Sequence, residues 1–96
     1  MGAEKLTFKI LICDKISDEG IKLMEEKGFQ ITKAWDMPKM QLPKLAAEHD
    51  AVIVRSATKV NAETLANAKN LRVIGRAGEG LDNIDVKKAE ELGITV

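Results

Sequence analysis

Apolar, strand-like runs alternate with helix-like segments along this chain, and that alternation limits the fold more than any other feature. Thr7 to Cys13 (TFKILIC) ends in continuous apolar residues, the pattern of a strand buried on both faces. Ser17 can cap a helix running to Lys27, with Ile21 and Met24 on its inner side and Gly28 as a left-handed stop. Phe29 to Ala34 reads as a weaker second strand with β-branched Ile31 and Thr32. After a loop holding Pro38, Gln41 to Glu48 reads as a short helix in which Pro43 fits only in the first turn. Ala51 to Arg55 (AVIVR) is a third strand, and Asn61 caps a helix with Leu65, Ala66 and Ala68 that ends near Asn70. Leu71 to Gly75 is a fourth strand, and Asp85 caps a helix through Leu92, stopped by Gly93. Ile94-Thr95-Val96 opens a fifth strand that is truncated, shorter than the usual length of about five or six residues.

Strict β-α alternation with short links predicts an α/β fold: a doubly wound parallel sheet with helices on both faces. Right-handed crossovers leave few topologies, and the flavodoxin-like strand order 2-1-3-4-5 fits best. The 96 residues, 45% of them hydrophobic, make one domain spanning residues 1–96. Lys plus Arg equals Asp plus Glu, at 15 each, a balance that gives no support for nucleic-acid or membrane partners. No apolar run approaches the roughly 20 residues that span a bilayer, and the opening MGAEKLTFKI lacks the apolar core of a signal peptide. The single cysteine, Cys13, has no internal disulfide partner, which fits a reducing, cytoplasmic setting. Aromatic residues, at 3%, are too few for a base-stacking platform.

In open parallel sheets, ligands bind beyond the carboxyl ends of the strands. That rule selects three loops: Asp14 to Ser17, Arg55 to Lys59, and Arg76 to Gly80. Together they have the chemistry to receive a small anion. Arg55 and Arg76 offer planar forks that match carboxylate or phosphate oxygens, and Ser56 and Thr58 add hydroxyl donors. Gly78 and Gly80 permit backbone conformations in which successive N–H groups turn toward one oxyanion. The plainer alternative is a tight turn at the glycines and surface ion pairing for the arginines.

Gly78-x-Gly80-x-x-Asn83 is not a dinucleotide fingerprint. Asn stands where the third small residue belongs, the motif follows the fourth strand rather than the first, and the next helix starts too late to aim at a pyrophosphate. The expectation is therefore no cofactor-binding residue, and the chain has no metal-ligand cluster, nucleophile elbow or phosphate loop of the GKS type. His49, at a helix end before Asp50, reads as a helix C-terminal imidazole. Cys13 reads as an inert core thiol. Trp35 packs over a sheet edge or faces a partner segment, and Met37 and Met40 fill gaps nearby. The last helix, with Lys87, Lys88, Glu90 and Glu91, presents a solvated face.

AVIVRSATKV at residues 51–60 and NLRVIGRAGEGLDNIDV at residues 70–86, together with the opening ILICDKISDEGIKLM, resemble the N-terminal part of the D-isomer-specific 2-hydroxyacid dehydrogenase family. The likeness covers essentially the whole chain. It implies the N-terminal stretch of a flavodoxin-like substrate-binding domain, with the family's NAD domain absent. The implied partner is a small anionic 2-hydroxy acid such as 3-phosphoglycerate, and NAD is implied for the complete enzyme but not for this chain. By the resemblance, Arg55, Ser56 and Arg76 line the substrate site, and Gly78, Glu79 and Gly80 form the loop whose amides hold the substrate carboxylate. The family's catalytic His, Arg and Glu fall outside this sequence, so the chain by itself is expected to have no dehydrogenase activity. Glu79 departs from the uncharged residue usual there, and is expected to point away from an anion or to pair with Arg55, Arg76 or Lys59.

Two other classes share this topology. A phosphoacceptor receiver domain needs an acceptor Asp at the end of the third strand and an acid pair after the first, whereas this chain has Arg55-Ser56 and only Asp14. A free-standing interaction module would self-associate through its incomplete edge.

Overall fold

A computed structural model describes residues 7–38, 41–78 and 80–96. Four strands and four helices alternate in chain order: β1 (Lys9–Ile12), α1 (Asp18–Glu26), β2 (Gln30–Lys33), α2 (Leu42–Ala47), β3 (Ala51–Val54), α3 (Ala62–Asn67), β4 (Val73–Arg76) and α4 (Val86–Glu91). The sheet is parallel throughout, in the order β2-β1-β3-β4. The expected fifth strand is represented by a single parallel bridge between Thr95 and Val73, with the Ile74 N–H donating to the Thr95 carbonyl at 2.7 Å. The order therefore agrees with 2-1-3-4-5 as far as the sheet extends.

Side-chain alternation divides the core into two layers. Leu11, Cys13, Val52, Val54 and Ile74 face α2, α3 and α4, where Leu42, Ala46, Leu65 and Ala89 close over them. Ile10, Ile12 and Ala51 face the other way, toward Ile21 of α1 with Met24, Phe29 and Trp35. Phe8 and Phe29 meet there at 5.6 Å between ring centroids, tilted by 55°, within the favourable range for aromatic pairs. Three helices thus cover one face and one covers the other.

The element boundaries follow local chemistry. The Ser17, Asn61 and Asp85 side chains accept from the backbone N–H groups of Gly20, Thr64 and Lys88, so all three expected caps form. Gly28 and Gly93, the expected stops, have φ of 91° and 76°. Strands β1, β2 and β3 and helix α2 are each shorter than their sequence patterns suggest, and two further boundaries shift for visible reasons. Helix α3 ends at Asn67 rather than near Asn70, because the Ala68 N–H turns back to Leu65 and Leu71 then buries its side chain. Strand β4 starts at Val73 rather than Leu71, because the Arg72 N–H is taken by the Asp50 carbonyl at 2.8 Å. Met40 lies outside the described residues.

His49 and Asp50 fix the turn into β3. Asp50, 1% exposed, accepts the Lys9 N–H on its carboxylate at 2.8 Å. His49 sits at the end of α2 as expected, is buried, and ties α2 to β2. Its Nδ1 lies 2.7 Å from the Leu45 carbonyl, which can only accept, so Nδ1 carries a proton; Nε2 lies 2.8 Å from the Thr32 hydroxyl. The imidazole is a structural brace.

Candidate functional site: an anion-receptive rim

Because the strands are parallel, the segments after β1, β3 and β4 emerge from the same end of the sheet. Their positions there are set by two polar side chains, Asp14 and Asn83.

Asp14 follows β1 and is buried. A buried carboxylate must be met by donors. One oxygen accepts the Arg55 N–H at 2.8 Å and the Thr58 N–H at 3.0 Å, and the other accepts the Thr58 hydroxyl at 2.6 Å. Residues 55–58 therefore wrap around the end of β1. Arg55, Ser56 and Ala57 stay exposed, while Thr58 is 1% exposed. The Arg55 guanidinium leans back over the first loop, its Nη1 donating to the Lys15 carbonyl at 3.4 Å.

Asn83 joins this loop to the one after β4. Its amide nitrogen donates to the carbonyls of Arg55 at 2.5 Å and Thr58 at 2.7 Å. Its amide oxygen accepts from Nε of Arg76 at 2.9 Å. The backbone closes the same seam: the Val60 N–H donates to the Asn83 carbonyl at 2.8 Å, and the Asp85 N–H to the Val60 carbonyl at 2.9 Å. The polar atoms of one side chain thus hold Arg76 and the Arg55 loop in register.

Gly78 completes the arrangement. Its φ is 153°, and a Cβ placed on it would lie 2.8 Å from Nη1 of Arg76. The guanidinium occupies the space that a side chain at 78 would take. Gly80 has φ of 75°, and a Cβ there would meet nothing within 4 Å, so its requirement for glycine is conformational alone. Glu79 lies outside the described residues.

The structure thus gathers Arg55, Ser56, Arg76 and Gly78, four of the residues singled out in the sequence, around one seam. Beside them an open depression of about 570 Å³ is lined by Asp14, Lys15, Trp35, Arg55, Ser56 and Ala57. Two residues that shape the site have no anion-binding chemistry of their own, and sequence reasoning passes over their role. Asn83 stands out there only as the residue that spoils a dinucleotide motif. Asp14 stands out only as an isolated acid, although an acid at the end of a buried strand signals a need for nearby donors.

Helix α4 begins at Val86 with its first turn capped by Asp85, as late after the glycine turn as the sequence suggests. Among the described residues, no group of three or more His, Cys, Asp or Glu is placed to hold a metal ion. No described helix is long and apolar enough to cross a membrane.

The fold is thus a parallel α/β domain whose loops after β3 and β4 carry arginines and a glycine turn at one rim. Residues 10–96 match the family described as D-isomer specific 2-hydroxyacid dehydrogenase, catalytic domain, and the chain belongs to that family. Among curated relatives, D-3-phosphoglycerate dehydrogenase of Archaeoglobus fulgidus is 42% identical over 88 residues, which are 92% of this chain and 17% of the relative. Hydroxypyruvate reductase of Thermotoga maritima is 42% identical over 89 residues, 93% of this chain and 29% of the relative. The chain therefore spans less than a third of the length of these relatives. Among solved structures, a Pyrococcus horikoshii protein matches with a TM-score of 0.82 at 28% identity, covering 92% of this chain and 27% of its own. The NAD+-bound 3-phosphoglycerate dehydrogenase of Entamoeba histolytica matches with a TM-score of 0.74 at 25% identity, covering 92% and 31% respectively.

Proposed function

We propose that residues 1–96 form the substrate-binding part of an NAD-dependent D-3-phosphoglycerate dehydrogenase, the oxidoreductase of serine biosynthesis that acts on the 2-hydroxyl of 3-phosphoglycerate. What supports this reading is the Asn83 bridge, which ties the Arg76 side chain to the backbone of the Arg55 loop and so brings the two arginine-bearing segments to one rim. Arg55 and Arg76 attract and orient the anion, Ser56 adds a hydroxyl donor, and the backbone at Gly78 and Gly80 offers N–H groups to the carboxylate. Positioning is the contribution of these residues; the hydride chemistry belongs to the rest of the enzyme and its cofactor. The balanced charge and the single cysteine support a cytoplasmic protein acting on a small molecule.

An amide NMR titration with 3-phosphoglycerate, glyoxylate and inorganic phosphate tests the site. The amides of Arg55, Arg76, Gly78 and Gly80 are expected to shift together with the two organic acids. Shifts confined to α1 or α2, or none at the rim, would refute the assignment.

The hydroxypyruvate reductase relative, as similar in identity as the dehydrogenase, supports a second reading in which the same rim serves another 2-hydroxy acid. The titration separates the two by rank: 3-phosphoglycerate shifts the rim at the lowest concentration on the first reading and glyoxylate on the second.

We also propose that the chain self-associates along β4. Val73 is 39% exposed on the sheet, Leu92 and Val96 are exposed on either side of Thr95, and among the described residues the outer side of β4 carries only the Thr95 bridge. Sedimentation is expected to show mass increasing with concentration; a monomer at every concentration would overturn this.

A further inference from the structure

We infer that Trp35 determines which acids the site prefers, because its indole forms the wall against which the carbon substituent of a 2-hydroxy acid packs. The inference rests on the rim being the acid site.

Trp35 is placed by its neighbours. Ala34 is buried, and its N–H donates to the Ile12 carbonyl at 2.8 Å, so the chain leaving β2 is held to the end of β1. The Met37 N–H returns to the Ala34 carbonyl at 3.1 Å and closes a tight turn around Trp35. The indole is half-buried against the α1-side layer of Ile10, Ile12, Ile21 and Ala51. Its remaining surface lines the depression shared with Lys15, Arg55, Ser56 and Ala57. This is an anchored aromatic wall beside an exposed arginine, within a site otherwise made of polar groups.

The direction of Arg55 matters. Its Nη1 reaches toward the Lys15 carbonyl, which turns the guanidinium to the Lys15 and Trp35 side of its loop. An acid whose carboxylate is held by the glycine turn and whose remaining part passes Arg55 extends its other carbons into the depression that Arg55 and Trp35 share. There the indole, the Ala57 methyl and the aliphatic stems of Lys15 and Arg55 offer carbon surface. The acid that lines the same depression, Asp14, has its carboxylate engaged by the Arg55 and Thr58 loop, so it presents little competing charge to a ligand. The class of ligand favoured is a 2-hydroxy acid with carbon beyond its second atom, over glycolate, which has none.

The chain contains one tryptophan and no tyrosine, so its intrinsic emission reports on Trp35 alone. Fluorescence titrations of this chain with glycolate and with D-2-hydroxy-4-methylpentanoate compare a bare acid with one bearing an apolar substituent. The branched acid is expected to bind about tenfold more tightly and to change the emission, as one or two methylene contacts in an apolar pocket allow. The variants lack the fluorophore, so their affinities are read from amide NMR titrations with the same two acids: Trp35→Ala is expected to bring the ratio close to one, and Trp35→Phe to retain most of it. The ratio compares two ligands on one folded protein, so a general loss of stability does not imitate the result. Amide NMR on each variant separates the possible failures. An unchanged ratio in Trp35→Ala, with the Arg55 and Gly78 amides still shifting, overturns the role of Trp35 and leaves the site standing. No rim shift with either acid in the wild-type chain overturns the site and this inference together.

Discussion

Replacing Asp14 with alanine is expected to lower stability by about 4 kcal/mol, from charge-assisted hydrogen bonds worth roughly 1.5–3 kcal/mol each and from donors left buried without an acceptor. For a chain of this size that corresponds to a fall in melting temperature on the order of 20 °C. The Asp14 side chain carries almost no buried apolar surface, so the loss has a different origin from a core cavity. Truncation leaves the Arg55 and Thr58 N–H groups and the Thr58 hydroxyl without the carboxylate they now share. Thr58 is 1% exposed, so water cannot readily replace it. Asp14→Asn keeps one acceptor oxygen but turns an NH2 group toward donors, and is expected to lose about half as much. Thermal unfolding of the two variants beside wild type is the measurement; a melting temperature for Asp14→Ala within a few degrees of wild type would show that the loop holds its shape by other means.

Gly78→Ala is expected to damage the site more than the fold. At φ of 153° an alanine is strained, at a cost of about 1–3 kcal/mol. The added Cβ would also sit 2.8 Å from Nη1 of Arg76, and Arg76 is held from the other side by Asn83. The guanidinium must give way, and its Nε bond to Asn83 goes with it. The side-chain Nε–H resonance of Arg76 is therefore expected to move and broaden, and acid-induced shifts at the rim to fall by about tenfold or more in apparent affinity, the loss of one charge-assisted contact. Gly80→Ala is the matched control. Its φ of 75° brings comparable backbone strain, but a Cβ there meets nothing within 4 Å. Stability should fall while the Arg76 signal stays in place. If both variants disturb Arg76 equally, backbone strain rather than the contact with the guanidinium governs the site.

Much of this fold can be read from the residues because each decisive feature has a local cause. Ser17, Asn61 and Asp85 are caps wherever a helix follows them, and Gly28 and Gly93 tolerate a left-handed backbone where a helix must end. The apolar runs that become β1 and β3 are buried on both faces, so their lack of alternation is itself the signal. Strand β4 begins two residues later than its residue types suggest: Leu71 and Arg72 look like strand, yet the Arg72 N–H is claimed by the distant Asp50 carbonyl. No local pattern encodes that pairing. The same holds for the site. The arginines and glycines stand out by residue type, whereas Asn83 acquires its role only when two loops separated by more than twenty residues arrive on either side of it. His49 stands at the end of α2, as its place in the sequence suggests, whereas its burial and its contact with Thr32 of β2 have no local signal.

The bond from the Arg55 N–H to Asp14 links residues 41 apart in sequence. The shape of the rim consequently depends on long-range packing: until β1 and β3 lie side by side, Asp14 cannot hold the Arg55 loop. Occupancy and folding are then one coupled equilibrium, in which any acid that fits the rim withdraws molecules from the unfolded population. Each tenfold rise in free ligand above its dissociation constant deepens the native basin by about 1.4 kcal/mol.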